Sequence, residues 1–231
     1  MAIFNTVYGG EWSWKPWANT LFYYDIDDND TTSTLYDKTW NLNMTWNAAP
    51  TYSIDSKVGR YVHWFSSSVF AKVSQYVNFG TEYTMSCLVY FDSSWSWWVL
   101  FAQWESSSLV PDKTLEFWTW NQIYFRTTRW KPASVDTSSN PWTNRWSVYT
   151  FVCSQTWNYR KIYVNGVEIA TATYLNDTTL NGAYPSIWVW SQRTWSSPMQ
   201  WYMKNLLGEN KARTSDEILN YYNKIKSKYW L

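Results

Sequence analysis

The stretch Arg160-Lys161-Ile162-Tyr163-Val164-Asn165-Gly166-Val167-Glu168-Ile169 decides the fold. Asn165-Gly166 stands between two runs of β-formers, which predicts a two-residue type I′ turn. Both central residues of that turn need positive φ, which Asn tolerates and Gly adopts freely. The segments 160–164 and 167–173 therefore read as the two strands of a hairpin.

Outward from this hairpin, short apolar or alternating runs broken by polar turns continue in both directions. The predicted strands are 21–25, 60–65, 70–73, 83–92, 99–103, 114–117, 122–126, 147–154, 160–164, 167–173, 186–189 and 199–206. Many short strands at such spacing predict an all-β sandwich or barrel. One helix is predicted, at the C-terminus. Thr214-Ser215-Asp216-Glu217 has the form of a capping box, in which the Thr hydroxyl and the Glu carboxylate each take the other's backbone donor. Ile218, Tyr222, Ile225 and Tyr229 then recur at helical spacing. Lys224, Lys226 and Lys228 lie late enough to suit the helix dipole. The expected organisation is an aperiodic arm or linker over 1–18, a sandwich over 19–210, and a helix over 211–231 packed across it.

Tryptophan is over-supplied and glycine is scarce: the 231 residues hold 21 Trp and 7 Gly. An ordinary domain of this length carries roughly 16 Gly. Many of the Trp keep the company of turn glycines, as in Thr39-Trp40-Asn41, Thr45-Trp46-Asn47, Thr156-Trp157-Asn158 and Thr194-Trp195-Ser196. Ser93-Ser94-Trp95-Ser96-Trp97-Trp98 reads as a flexible loop once its Trp are replaced by Gly. Tyr and Phe fall inside apolar or alternating runs, where aromatics belong. Some bacterial lineages and their phages read UGA as Gly, and translating such a gene with UGA as Trp produces this pattern. The expectation is that many of these Trp stand where the natural polypeptide has Gly. Trp40, Trp46, Trp157 and Trp195 should then sit in turns, several with positive φ. Trp142 and Trp146, in Asn140-Pro141-Trp142-Thr143-Asn144-Arg145-Trp146, read as genuine.

The formal net charge is +1, so there is no basic excess for a phosphate backbone and nucleic acid is not expected as a partner. Residues 1–10 lack a basic segment followed by an apolar one, so no signal peptide is visible. No stretch approaches a membrane span, and membrane insertion is not expected. Cys87 and Cys153 each lie in an apolar strand-like run and read as buried free thiols, with a disulfide as the alternative that the spacing does not imply.

Catalytic constellations are sparse. The one histidine, His63, lies in a strand-like run and reads as structural. Glu82, Glu105, Glu116 and Glu168 are isolated, without the paired carboxylates that glycoside hydrolysis requires. No phosphate-cradling loop appears, even with glycines restored. The dense acidic run is Asp25-Ile26-Asp27-Asp28-Asn29-Asp30. Asp25, Asp27 and Asn29, at alternate spacing, are the candidate oxygen ligands for Ca²⁺. The EF-hand pattern fails there, with Asp30 at the glycine position and no Glu at the twelfth. A second acidic spot, Asn176-Asp177, reads as a turn cap.

Six segments, in order over roughly 19–222, resemble the laminin-G-like, concanavalin A-like jelly-roll family. NTLFYYDIDDND (19–30) is similar to its first strand and acidic loop. LYDKTWNLNMTWNAAPTYS (35–53) resembles "D-x-S-G-N … G", with Trp40 and Trp46 at the glycines. TEYTMSCLVYF (81–91) resembles "F-T-I-S-x-W-V". RWSVYTFVCSQTWNYRKIYVNGVEI (145–169) resembles "W-x-H-V-A … D-G … I-Y-V-N-G", with Ser147 in place of His and Trp157 at a glycine. PSIWVWSQ (185–192) resembles the "I-G-x" strand. MQWYMKNLLGENKARTSDEI (199–218) resembles "F-x-G-x-I-D-x-V-x-I-Y-N-x-A-L-S-x-E-E-I", with Trp201 at the glycine.

The resemblance implies two antiparallel sheets in a jelly-roll sandwich. Many relatives bind Ca²⁺, which adds weight to the 25–29 loop. The function it implies is non-catalytic recognition of a glycan or a protein surface, in a phage tail or other virion structural protein, or in a cell-surface adhesin. The alternatives are a structural assembly module that binds no sugar, and a glycoside hydrolase. If the loop Trp are real, they would offer stacking platforms to sugar rings.

Overall fold

In the computed structural model, the structure describes residues 18–26, 33–39, 42–46, 49–63, 71–72, 77–91, 98–103, 113–118, 122–126, 133–136, 144–173 and 201–231. The expected arm and the 186–189 strand lie outside these residues. Fifteen strands are present among them. They are β1 Thr20–Asp25, β2 Thr34–Leu35, β3 Met44–Trp46, β4 Thr51–Asp55, β5 Gly59–His63, β6 Ala71–Lys72, β7 Glu82–Phe91, β8 Trp98–Gln103, β9 Lys113–Trp118, β10 Gln122–Arg126, β11 Ala133–Asp136, β12 Trp146–Ser154, β13 Tyr159–Val164, β14 Val167–Thr173 and β15 Trp201–Glu209. One helix, α1, follows at Ser215–Tyr229.

The described pairings are antiparallel, and the architecture is the expected all-β sandwich with a short C-terminal helix. The main sheet runs β14-β13-β12-β7-β15-β5-β4, and β1 also pairs with β15. β15 is thus bonded along both edges. β7 takes one side, while β5 and β1 divide the other, at Tyr202–Met203 and Asn205–Glu209 respectively. Two smaller sheets, β11-β10-β9-β8 and β2-β3-β6, complete the set.

Alternation along these strands separates two cores. The inner face of the main sheet carries Phe22, Tyr24, Met85, Cys87, Val89, Phe91, Tyr149, Phe151, Ile162, Met203 and Leu206, which meet Leu35, Met44 and Trp46. The outer face carries Tyr23, Leu88, Val148 and Leu207, and α1 lies on it through Tyr221, Ile225 and Tyr229. Met203 and Leu206 both face inward although three residues apart. Regular alternation forbids that, and the register shift between Met203 and Asn205 allows it by inserting one extra residue.

The hairpin forms as expected, with Asn165 at φ 53° and Gly166 at φ 80°. A second constraint also fixes glycine at 166. A Cβ there would lie 3.0 Å from Leu219 Cδ1 and 3.3 Å from the α1 backbone. The capping box forms as well: Glu217 N donates to Thr214 Oγ1 and Thr214 N donates to Glu217 Oε2. Both cysteines are buried free thiols. Cys87 stands in register with Tyr149 and Cys153 with Tyr83, so the two lie four residues apart along the β7–β12 ladder. Burial pushes the Cys153 thiol up to about 11 and the Cys87 thiol further.

The tryptophan expectation meets a mixed outcome. Trp46 is corrected: it sits in a strand, with its indole in the inner core. Trp157 does sit in an exposed turn, but the positive φ of that turn falls on Asn158. Trp40 and Trp195 lie outside the described residues. A different residue, Trp230, takes the left-handed conformation, φ 54° and ψ 41°, at the C-cap of α1.

Gly208 in β15 gives the sharpest steric test of this packing. A Cβ there would lie 2.2 Å from Cζ of Phe22, whose side chain is fully buried. Gly208→Ala is expected to cost about 2–3 kcal/mol, the upper range for overpacking a core. A thermal melt reads this as a fall in Tm of roughly 4–12 °C. An unchanged Tm would show that β1 and β15 can part.

Candidate functional site

β1 delivers Asp25 to the outer face rather than to solvent. Its carboxylate is 1 % exposed. Lys228 Nζ donates to Oδ2 at 2.9 Å, and Lys204 Nζ lies 3.4 Å from Oδ1. The hydroxyls of Tyr23 and Tyr229 donate to Oδ2 at 3.4 and 3.3 Å. Lys204 has no solvent exposure. It also donates to the Arg60 carbonyl at 2.9 Å and lies over the Tyr229 ring. Burial pushes the Asp25 carboxyl up, but the two ammonium groups outweigh it and hold it at about 2. Both oxygens of this candidate metal ligand are therefore engaged by cations of the protein. Asp27 and Asn29 lie outside the described residues.

Several other described carboxylates are likewise committed. Asp37, fully buried, accepts from the backbone N–H of Tyr23, Thr39 and Leu42 and fixes the turn after β2. Glu209 takes a two-pronged contact from Arg213 at 2.5 and 2.9 Å, and burial still holds its carboxyl above the ordinary value. Glu82 accepts from Ser154 and from the Thr156 N–H, and Glu168 from Lys161 and Tyr163. Glu105 and the Glu116 side chain lie outside the described residues. Among the described residues, no three His, Cys, Asp or Glu side chains gather as a metal site.

What the outer face offers beyond α1 is a cluster of four half-buried aromatic rings. Tyr61 comes from β5, Tyr90 from β7, Trp146 from β12 and Tyr202 from β15. Register explains the meeting, since Tyr90 stands opposite both Trp146 and Tyr202. Tyr90 and Tyr202 stack with centroids 5.2 Å apart and planes 27° apart. Trp146 meets Tyr61 at 5.5 Å and Tyr90 at 5.9 Å, both edge-on, and Tyr61 lies 5.0 Å from Tyr202. His63, on β5, stands in register with Tyr202. The sequence singled out none of the three tyrosines. Tyr90 and Tyr202 lie near the ends of β7 and β15, and Tyr61 lies at the middle of β5.

With this geometry in hand, the comparisons give a consistent family. The profile of the concanavalin A-like lectin/glucanases superfamily, laminin G type, matches residues 65–219. The chain belongs to that superfamily. No curated protein sequence matches it significantly. Solved structures with the same fold include the botulinum neurotoxin serotype G binding domain, with TM-score 0.71, 12% identity, and 90% of this chain and 52% of that one covered. A second is the binding domain of botulinum neurotoxin DC in complex with rat synaptotagmin II, with TM-score 0.66, 12% identity, and 90% and 52% covered. A third concerns botulinum neurotoxin type C, whose cell entry is described as dependent on two ganglioside molecules. It has TM-score 0.67, 13% identity, and 90% and 51% covered. The chain spans about half the length of these structures.

The outer-face ion pairs predict a pH dependence. Asp25 and Glu217 both sit at about 2 in the folded protein, the latter raised by burial but lowered more by Lys211, the Thr214 N–H and Arg213. A depressed carboxyl contributes stability that is full above its unfolded value, about 4, and is lost as pH falls through the folded one. Tm is expected to fall steadily between about pH 4 and pH 2. Asp25→Asn removes the carboxylate facing buried Lys204, at an expected cost of about 3–5 kcal/mol at pH 7. The double variant Asp25→Asn/Lys204→Met should recover part of that loss. A neutral-pH Tm unmoved by Asp25→Asn would show that the pair is not what anchors α1.

Proposed function

We propose that this chain is a non-catalytic recognition domain whose ligand is a glycan or a protein surface. The observation that carries the reading is that, within a superfamily of lectins and glucanases, described carboxylates are committed to structure. Asp25, Asp37, Glu82, Glu168, Glu209 and Glu217 each hold a cation, a hydroxyl or a backbone N–H. A hydrolase of this fold needs two carboxylates facing one sugar. Support for the ligand class comes from binding-domain structures of the same fold, whose titles name synaptotagmin II for one and gangliosides for another. Among the described residues no helix is long and apolar enough to cross a membrane. The setting we propose is a virion structural protein, such as a phage tail component, or a cell-surface adhesin. Any Ca²⁺ bound by the acidic loop would draw on Asp27 and Asn29, because Asp25 is already held by Lys204 and Lys228.

The test is a glycan array run beside a light-scattering mass and a reducing-end assay on polysaccharides. Saturable binding without sugar release is the expected result. Sugar release would overturn the reading in favour of a hydrolase. Silence on the array with a defined oligomer would favour an assembly module.

We further propose that Trp at several turn positions stands where the natural polypeptide has Gly. Trp230 supports this. Among the described residues, the other non-Gly residues with positive φ are Asn144, Asn158 and Asn165, and Asn is the residue type that tolerates that region. A left-handed C-cap is a glycine position, and a side chain there costs about 1–2 kcal/mol. Trp230 is 76% exposed, so little packing offsets that cost. Trp230→Gly is expected to raise Tm by roughly 2–4 °C for each kcal/mol relieved. Peptide mass sequencing of the protein from its source should find Gly at 230, and finding Trp there would overturn the proposal.

A further inference from the structure

We infer that the four-ring cluster of Tyr61, Tyr90, Trp146 and Tyr202 is a saccharide subsite that stacks the C–H face of a neutral pyranose. The inference rests on the recognition reading above and names the place and the ligand chemistry. Three observations carry it.

The rings come from four different strands of one sheet, and cross-strand register brings together Trp146, Tyr90 and Tyr202. The floor is therefore fixed before any ligand arrives, and little side-chain freedom is lost on binding. The rings are half-buried rather than sealed, unlike Tyr24, Tyr149 and Tyr163 of the same sheet, which are at most 1 % exposed. Three of the four are phenols. Each offers an apolar ring and a polar tip, and a pyranose is built the same way, with C–H faces and a hydroxyl rim.

The charges nearby argue for a neutral sugar. Lys204 lies on the same strand as Tyr202, but it is fully buried and compensated by Asp25 beneath α1. The site is also independent of the tryptophan question. Three members are tyrosines, and Trp146 is packed edge-on against two of them.

The experiment uses the full chain on an array of galactose- and glucose-terminated oligosaccharides with their sialylated counterparts. Tyr202→Ala and Tyr90→Ala are compared with the parent, and Tyr202→Phe serves as a milder change that keeps the ring. Trp157→Gly, outside the cluster, is the control. Saturable binding to neutral termini is expected, with about tenfold weaker affinity for the alanine variants at unchanged circular dichroism. Trp157→Gly should bind like the parent. Hydroxyl-radical footprinting of the parent with its best array sugar gives a readout free of mutation, with protection expected at Tyr61, Tyr90, Trp146 and Tyr202. Parent binding that survives folded alanine variants, with protection elsewhere, would overturn the site while leaving the recognition reading intact. Preference for sialylated termini would overturn the neutral-sugar assignment. An array silent for the parent would overturn the inference together with the glycan branch of that reading.

Discussion

A fully buried lysine governs the outer half of this structure. Desolvating an ammonium costs several kcal/mol, and such a group persists only with close compensation. Lys204 finds it in three elements at once: the carboxylate of Asp25 on β1, the carbonyl of Arg60 on β5, and the ring of Tyr229 on α1. Lys228 of α1 closes on the same carboxylate. The first strand, the last strand and the helix are thus bound by one charge. Because Lys204 sits where the β15 register shifts, the residue that breaks the pleat is also the one that recruits its neighbours. At the other end of α1, Arg213 bridges Glu209 and Glu217, so helix start and strand end are fixed together.

On the inner face the constraint is steric. β1 must approach β15 closely enough for Phe22 to lie over Gly208, and that approach seats the ring among Tyr24 and Phe79. Helix and hairpin repeat the device at Gly166, where the turn passes under Leu219 and Tyr222. Both contacts join segments far apart in the chain. Each glycine thus marks a place where such segments approach too closely for a Cβ.

These two kinds of constraint explain what the sequence disclosed. Local chemistry was legible: the Asn165-Gly166 turn, the Thr214–Glu217 box and most of the long strands are written in neighbouring residues. The two- and three-residue strands β2 and β3 escaped, because so few residues carry no period of their own, whereas β6 falls inside the expected 70–73 run. β4 and β11 escaped as well, in stretches where polar residues mask the alternation. Asp25 was legible as an acid but not in its role, since its partners stand at 204 and 228 and only the folded sheet brings them near. Asp37 was hidden in the same way: the three N–H groups it holds come from a strand and a turn that meet only after folding. The four aromatic rings were each visible, and their meeting was not.

The distribution of tryptophan gains a physical sorting from the fold. Trp46 and Trp146 behave as aromatics, one within the inner core and one packed edge-on against tyrosines. Trp157 and Trp230 lie at the surface, 76% exposed each, in a turn and at a left-handed helix end. Trp230 buries little and sits where a Cβ is costly, so it gains nothing from an indole, while Trp157 only buries little. A residue whose ring fills a register-defined space loses that contact without one. Burial separates Trp46 and Trp146 from Trp157 and Trp230, and φ sets Trp230 alone apart. The surface suited to sugar stacking belongs to the population that packs. Recognition through that surface and glycine at the exposed turns are therefore independent propositions, and each stands or falls on its own measurement.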